Sequence, residues 1–170
     1  MKKTFSLILS LAVALVAVNV ASAKTLKVPE KKAVISVEIP DSWTVEELDK
    51  GVSVESKDKV VTVFFEITGA KGLDKLLDET IDWLKEQKVK IDESSKKEAD
   101  FKVEGMDFSR ISWKGSNEEW GKSDIAFIFG DLGNGKIVVI TYWLPESGLD
   151  KHIPAINKMF DSFKRITPEE

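Results

Sequence analysis

The segment Ile137-Val138-Val139-Ile140-Thr141-Tyr142-Trp143-Leu144 limits what this chain can fold into more than any other stretch. Successive side chains of a strand point to opposite faces, so Ile137 and Val139 face one way while Val138, Ile140 and Tyr142 face the other. Both faces are apolar, and both must be covered. An antiparallel sheet often leaves one face in water, so this strand calls for a layer of structure on each side of its sheet.

The two covering layers are readable. From Gly72 to about Lys88 the apolar period becomes helical, with Leu73, Leu76, Leu77, Thr80, Ile81 and Leu84 recurring every three or four residues and Trp83 flanking them. Near the C-terminus Leu149, Ile153, Ile156, Phe160 and Phe163 repeat the pattern. This second helix begins either near Ser147, with Asp150 three residues on, or at Pro154 as its first residue.

Strands account for most of the rest. Ile35, Val37 and Ile39 alternate with Ser36 and Glu38 in a half-buried strand that ends at Pro40-Asp41-Ser42, and Trp43 closes the sheet beyond it. Val52 to Glu55 and Val60 to Ile67 form a hairpin around the polar turn Ser56 to Lys59. Phe101 to Val103 and Met106 to Trp113 meet near Gly105. Asp124 to Phe129 pairs with Ile137 to Leu144 through Asn134-Gly135, which supplies the positive φ angles of a tight hairpin turn. Residues 89 to 101, rich in lysine, acid and serine, read as a loop or a poorly specified edge strand. The expected fold class is α+β, a three-layer α/β/α sandwich on a mostly antiparallel sheet.

The N-terminus carries an address. Lys2 and Lys3 precede an uncharged run from Phe5 to Val20, and Ala21-Ser22-Ala23 places small residues where a signal peptidase cuts, between Ala23 and Lys24. Ser6, Ser10 and Asn19 weaken the run as a permanent membrane span. With no cysteine at the cut, lipid attachment there is excluded. The expected organisation is a signal peptide over 1–23, a short lead-in over 24–32, one domain over 33–166 and a tail over 167–170. The expected location is periplasmic or secreted, with no stable membrane anchor after cleavage.

Composition narrows the function classes. The full chain carries 25 basic and 29 acidic residues, for a net charge of −4, and loss of Lys2 and Lys3 makes the balance more acidic. Signs alternate instead of forming the basic stripe that nucleic acid requires. Arg110 and Arg165 are the only arginines, so lysine supplies nearly all positive charge. The absence of cysteine removes thiol chemistry, thiolate metal sites and disulfides, and stability must come from packing.

Few residues suggest chemistry. His152 is the only histidine, and its neighbours Ser147 and Asp150 do not by spacing alone form a nucleophile, base and orienter; a surface or packing role at the start of a helix is expected for it. Gly130-Asp131-Leu132-Gly133-Asn134-Gly135 leads into a strand, so it is neither a helix-opening phosphate loop nor a calcium loop, which needs alternating oxygen ligands and a distal glutamate. Trp113 and Trp120 flank Gly115-Ser116-Asn117-Glu118-Glu119. Either they anchor a partner, with Glu118 and Glu119 beside them, or Trp113 is a core strand residue and Trp120 caps the sheet edge. Glu46-Glu47 and Glu118-Glu119 read as solvated charge. No catalytic, cofactor or metal residue is expected.

Several of these pieces together resemble the PsbP-like fold: the strand ending Ile39-Pro40-Asp41-Ser42-Trp43, a hairpin, an amphipathic helix, a meander with Gly105-Met106-Asp107-Phe108, and a closing helix with Ser162-Phe163. The extrinsic PsbP subunits of photosystem II, a nuclear Ran-binding family and small periplasmic proteins of the DcrB type share that fold. The resemblance spans roughly residues 33 to 165 and is greater to the bacterial periplasmic branch, because residues 24 to 32 are too short to match the extended N-terminal segment of photosynthetic members. It implies a non-enzymatic accessory module that docks on an envelope protein or complex, and it carries over no functional residue. The alternative is a carrier of a lipid or metabolite in a cleft between sheet and helix, lined by aromatics such as Phe65, Phe127 and Trp143.

Overall fold

A computed structural model describes residues 22–166. The signal-peptide expectation, apart from its last residues, and the tail 167–170 lie outside them. Ten strands and two helices form: β1 (Ala23–Val28), β2 (Ile35–Pro40), β3 (Thr44–Leu48), β4 (Gly51–Glu55), β5 (Thr62–Gly69), α1 (Ala70–Glu86), β6 (Lys90–Val103), β7 (Met106–Asn117), β8 (Gly121–Gly133), β9 (Lys136–Pro145), α2 (Leu149–Asp161) and β10 (Lys164–Arg165). Seven strands make one sheet in the order β3-β4-β5-β9-β8-β7-β6, and each neighbouring pair is antiparallel. The sheet is thus two meanders, β3 to β5 and β6 to β9, joined where β5 pairs with β9.

The two-faced strand β9 lies inside this sheet and is covered on both sides, as its composition requires. On one face α1 packs Leu84, with Trp83 beside it, over Ile125 and Trp143. On the other face, Val138, Ile140 and Leu144 of β9 meet Ile156 and Met159 of α2, together with Ile35, Val37 and Ile39 of β2. That second layer combines a helix with a small antiparallel sheet, β1-β2-β10. The hairpin at Asn134-Gly135 forms as expected, with φ of 53° and 71° at the two residues.

Several expectations are corrected. Residues 24 to 28, placed in a short lead-in ahead of the domain, form most of β1 and pair residue by residue with β2 from Ala23↔Pro40 to Val28↔Ile35. Ala23 and Lys24, the expected cleavage pair, open this strand on an exposed surface, and Lys24 Nζ donates to the Trp43 carbonyl at 3.1 Å. Of the two readings of residues 89 to 101 it is the edge strand that forms, running from 90 to 103 with an irregularity between Asp92 and Lys97. β3 is a further strand; Thr44, Glu46 and Glu47 are exposed, which leaves little apolar alternation to read.

The start of α2 lies between the two alternatives, at Leu149 after a 3₁₀ turn over Glu146–Gly148, and Pro154 sits inside the helix. Proline there lacks the N–H that would bond the carbonyl of Asp150, and both residues are exposed, so water can serve that carbonyl. The apolar stripe is also rotated from its expected position. His152, Ile156 and Met159 are buried, whereas Ile153 is 38% exposed, the one exposed large apolar side chain among the described residues.

Candidate functional site

The two faces of the large sheet each carry an open cleft, and strand alternation decides which side chains reach which cleft. On the α1 face, odd-numbered β9 residues and even-numbered β3 and β5 residues point outward. Trp143, Phe64, Thr44 and Glu46 therefore meet Trp83 of α1 and the β7–β8 turn in a groove of about 510 Å³. Its aromatic floor is contiguous: Phe64 meets Trp83 edge-on at 5.0 Å, and Trp83 meets Trp143 edge-on at 6.0 Å. Three of the chain's five tryptophans line this groove. Glu46, Glu55 and Glu119 surround it, with Lys59 as the one cation of its lining. The indole N–H of Trp143 is buried there without an acceptor among the described residues.

The tryptophans singled out by the sequence separate in space. Trp120 and Glu119 lie in the three-residue turn between β7 and β8 and line the groove. Asn117 fixes that turn: its Oδ1 accepts the Trp120 amide at 2.7 Å, and its Nδ2 donates to the Gln87 carbonyl at the end of α1 at 3.2 Å. Glu118 is exposed in the same turn and does not line the groove. Trp113 sits within β7 on the same sheet face, edge-on to Phe127 at 5.6 Å, and is not part of the groove.

On the opposite face a cleft of about 440 Å³ opens between α2 and strands β6 to β9. Ile128, Ile153, Ile156, Phe101 and Phe160 give it apolar walls, and Arg110, Tyr142, Asn157 and Asp161 supply its polar groups. The Arg110 guanidinium lies 5.8 Å from the centre of the Tyr142 ring, the geometry of a cation on an aromatic face. Burial raises the Tyr142 phenol above its ordinary value, against the opposing pull of Arg110. The aromatics expected to share one cleft do not: Phe65 is sealed in the core on the α2 side, Phe127 packs on Trp113, and only Trp143 lines a groove.

His152 is 6% exposed and takes part in a cluster that sequence spacing could not reveal. Its Nε2 lies 3.0 Å from Asp58 Oδ2, and its ring meets Trp43 edge-on at 5.7 Å. Ser147 and Asp150, its sequence neighbours, are both exposed. Ser56 donates to Asp58 Oδ1 at 2.7 Å, and its own Oγ accepts the amides of Val60 and Val61. The serine proton therefore points at the carboxylate, not at the imidazole, and the hydroxyl is 1% exposed. A nucleophile must be within reach of its base and of substrate, so this arrangement ties the β4–β5 turn to α2 and does not activate Ser56.

Hydrogen bonds from Lys151 and Ser56, then from His152, hold the Asp58 carboxyl well below the usual carboxylate range. A carboxylate depressed in the folded state stabilises the fold above the unfolded value of about 4, and that contribution fades as pH falls from there through the folded value. Asp58→Asn should therefore be less stable than the parent at pH 5, with the gap narrowing by pH 2, as read from urea midpoints. A gap independent of pH over that window would rule out the carboxylate charge as its source.

Adjacent acids also part company. Glu46 faces the tryptophan groove, while Glu47, on the other side of β3, lies beside Glu30, whose carboxyl raises that of Glu47. Burial raises the Glu66 carboxyl beneath α1. Among the described residues no group of three or more His, Cys, Asp or Glu side chains is placed to hold a metal ion, and no helix is long and apolar enough to cross a membrane.

An antiparallel α+β sandwich with an open cleft on each sheet face is the class these features define. No protein-family model matches the chain, and no curated protein matches its sequence. Solved structures do match. The cyanobacterial PsbP of Synechocystis superposes with a TM-score of 0.59 at 9% identity, over 88% of this chain and 96% of that one. LpqN of Mycobacterium tuberculosis, a protein involved in cell envelope biogenesis, superposes with a TM-score of 0.52 at 11% identity, over 86% of this chain and 91% of that one. The fold is PsbP-like, as the sequence motifs suggested.

Proposed function

We propose that this chain is an exported accessory module of the cell envelope, periplasmic and non-enzymatic, that binds a protein partner through the tryptophan groove on its α1 face. The observation that carries this reading is the grouping of Trp83, Trp120 and Trp143 in one open groove with a carboxylate rim. Aromatic anchors inside a polar rim are the usual composition of a protein-binding hot spot. The rim is acidic, so the partner surface that fits it presents an apolar or aromatic knob flanked by lysine or arginine. The leader ending at Ala23 and the likeness to an envelope-biogenesis protein support the location.

The test is photo-crosslinking in the native envelope, with the reactive side chain placed at exposed Glu119 and, as a control, at exposed Asp107 on the far hairpin. A specific partner captured from position 119 and not from 107 is the expected result. Recovery of monomer alone from both positions would count against docking. Trp120 is half-buried and comes from a turn, so Trp120→Ala should lower stability by about 1 kcal/mol while abolishing capture. A large stability loss with capture intact would instead assign Trp120 to packing.

A further inference from the structure

The cleft beneath α2 lies on the sheet face opposite the tryptophan groove, and its chemistry differs. Arg110 is one of only two arginines in the chain. The other, Arg165, donates to the Leu132 carbonyl. Arg110 lies over the Tyr142 ring inside the cleft, its Nε is shut off from water without an acceptor, and none of the described carboxylates forms an ion pair with it. A planar guanidinium is the group best suited to a carboxylate. The rest of the wall is mainly apolar, and at about 440 Å³ the cleft is within the range of small-molecule sites. Ile153, exposed at 38%, extends the apolar surface out of the cleft.

The geometry points to a binding site for a monocarboxylate with an apolar chain, its head on Arg110 and its chain between Phe101, Ile128 and Ile156 toward Ile153. Asp161 lines the same cleft, so each further negative charge on a ligand meets repulsion, and a single-charge head fits better than a phosphate dianion. Tyr142 and Asn157 add further hydrogen-bonding groups to the lining of the cleft.

Titration calorimetry on the purified chain, with laurate, dodecanol and dodecyl phosphate each below its aggregation concentration, tests this site. Laurate is expected to bind at one site, and dodecanol and dodecyl phosphate roughly tenfold or more weakly. Arg110→Ala should reduce laurate affinity to the level of dodecanol, and Arg110→Lys should restore only part of it, because the fork is lost while the charge stays. Ile153→Glu, at an exposed position that the fold tolerates, should weaken laurate binding as well. Trp120→Ala, on the opposite face, should leave it unchanged. Absence of laurate binding, equal binding of dodecanol, or affinity unaffected by both Arg110→Ala and Ile153→Glu would overturn the assignment.

Discussion

Gly51→Ala is expected to destabilise the fold by about 3 kcal/mol or more, because no low-energy place exists for the added methyl group. A Cβ at position 51 would overlap the Phe65 carbonyl oxygen and lie 2.7 Å from the Glu66 Cα. Both obstacles are backbone atoms of β5, the strand paired with β4, so no side-chain rotation relieves them. The sheet would have to open locally at Gly51↔Glu66, next to the core residues Val52 and Phe65. Close-packed interiors do not absorb such a shift cheaply. Urea unfolding checks it, and a change below about 1 kcal/mol would mean that β4 has another way to pair.

Phe163→Ala should have a similar effect by the opposite route, a loss of about 3–5 kcal/mol from an unfilled cavity. Phe163 is 1% exposed and lies just after Ser162, the residue that caps α2, and just before β10. Its ring meets Phe108 edge-on at 5.4 Å, and Phe108 stacks on Phe101 at 5.6 Å. One side chain thus fastens both α2 and the small sheet to the large one. The substitution should therefore lower the urea midpoint and also speed tryptic cleavage at Lys164 and Arg165, which leave β2 when that fastening fails. Unchanged cleavage together with a normal midpoint would show that α2 is held without it.

These two positions differ in how plainly the chain marks them. Phe163 belongs to a readable apolar stripe, whereas nothing around Gly51 announces that Phe65 passes so close. The same division runs through the whole fold. Segments with one buried face carry their own signature, as Ile35, Val37 and Ile39 do in β2 and as Leu76 and Leu84 do in α1. β3 and most of β6 bury little at the sheet edges, so their Glu, Lys and Ser residues have no period to display. β1 is likewise mostly exposed and is specified by its pairing with β2.

The sites follow the same logic. Trp120 and Glu119 could be selected as chemically unusual, but their convergence with Trp83 and Trp143 depends on α1 crossing the sheet. Asp58 and His152 lie 94 residues apart, and no spacing rule connects them. Arg110 had a usable signal. It stands two residues after Phe108 in an alternating strand, which places a guanidinium on the same face as a core phenylalanine. Charge on an inward face of a strand is the pattern that distinguishes it from the many lysines in water.

The edge strand β6 has a consequence for how the molecule meets others. Its fourteen residues include Lys90, Asp92, Glu93, Lys96, Lys97, Glu98, Asp100 and Lys102, and its pairing is broken between Asp92 and Lys97. A long free edge would otherwise be a template for another chain's strand, the first step toward ordered aggregates. Dense alternating charge and an interrupted ladder close that route, since an incoming strand would have to desolvate ions and match an irregular register. Concentrated protein should therefore remain dispersed along this flank.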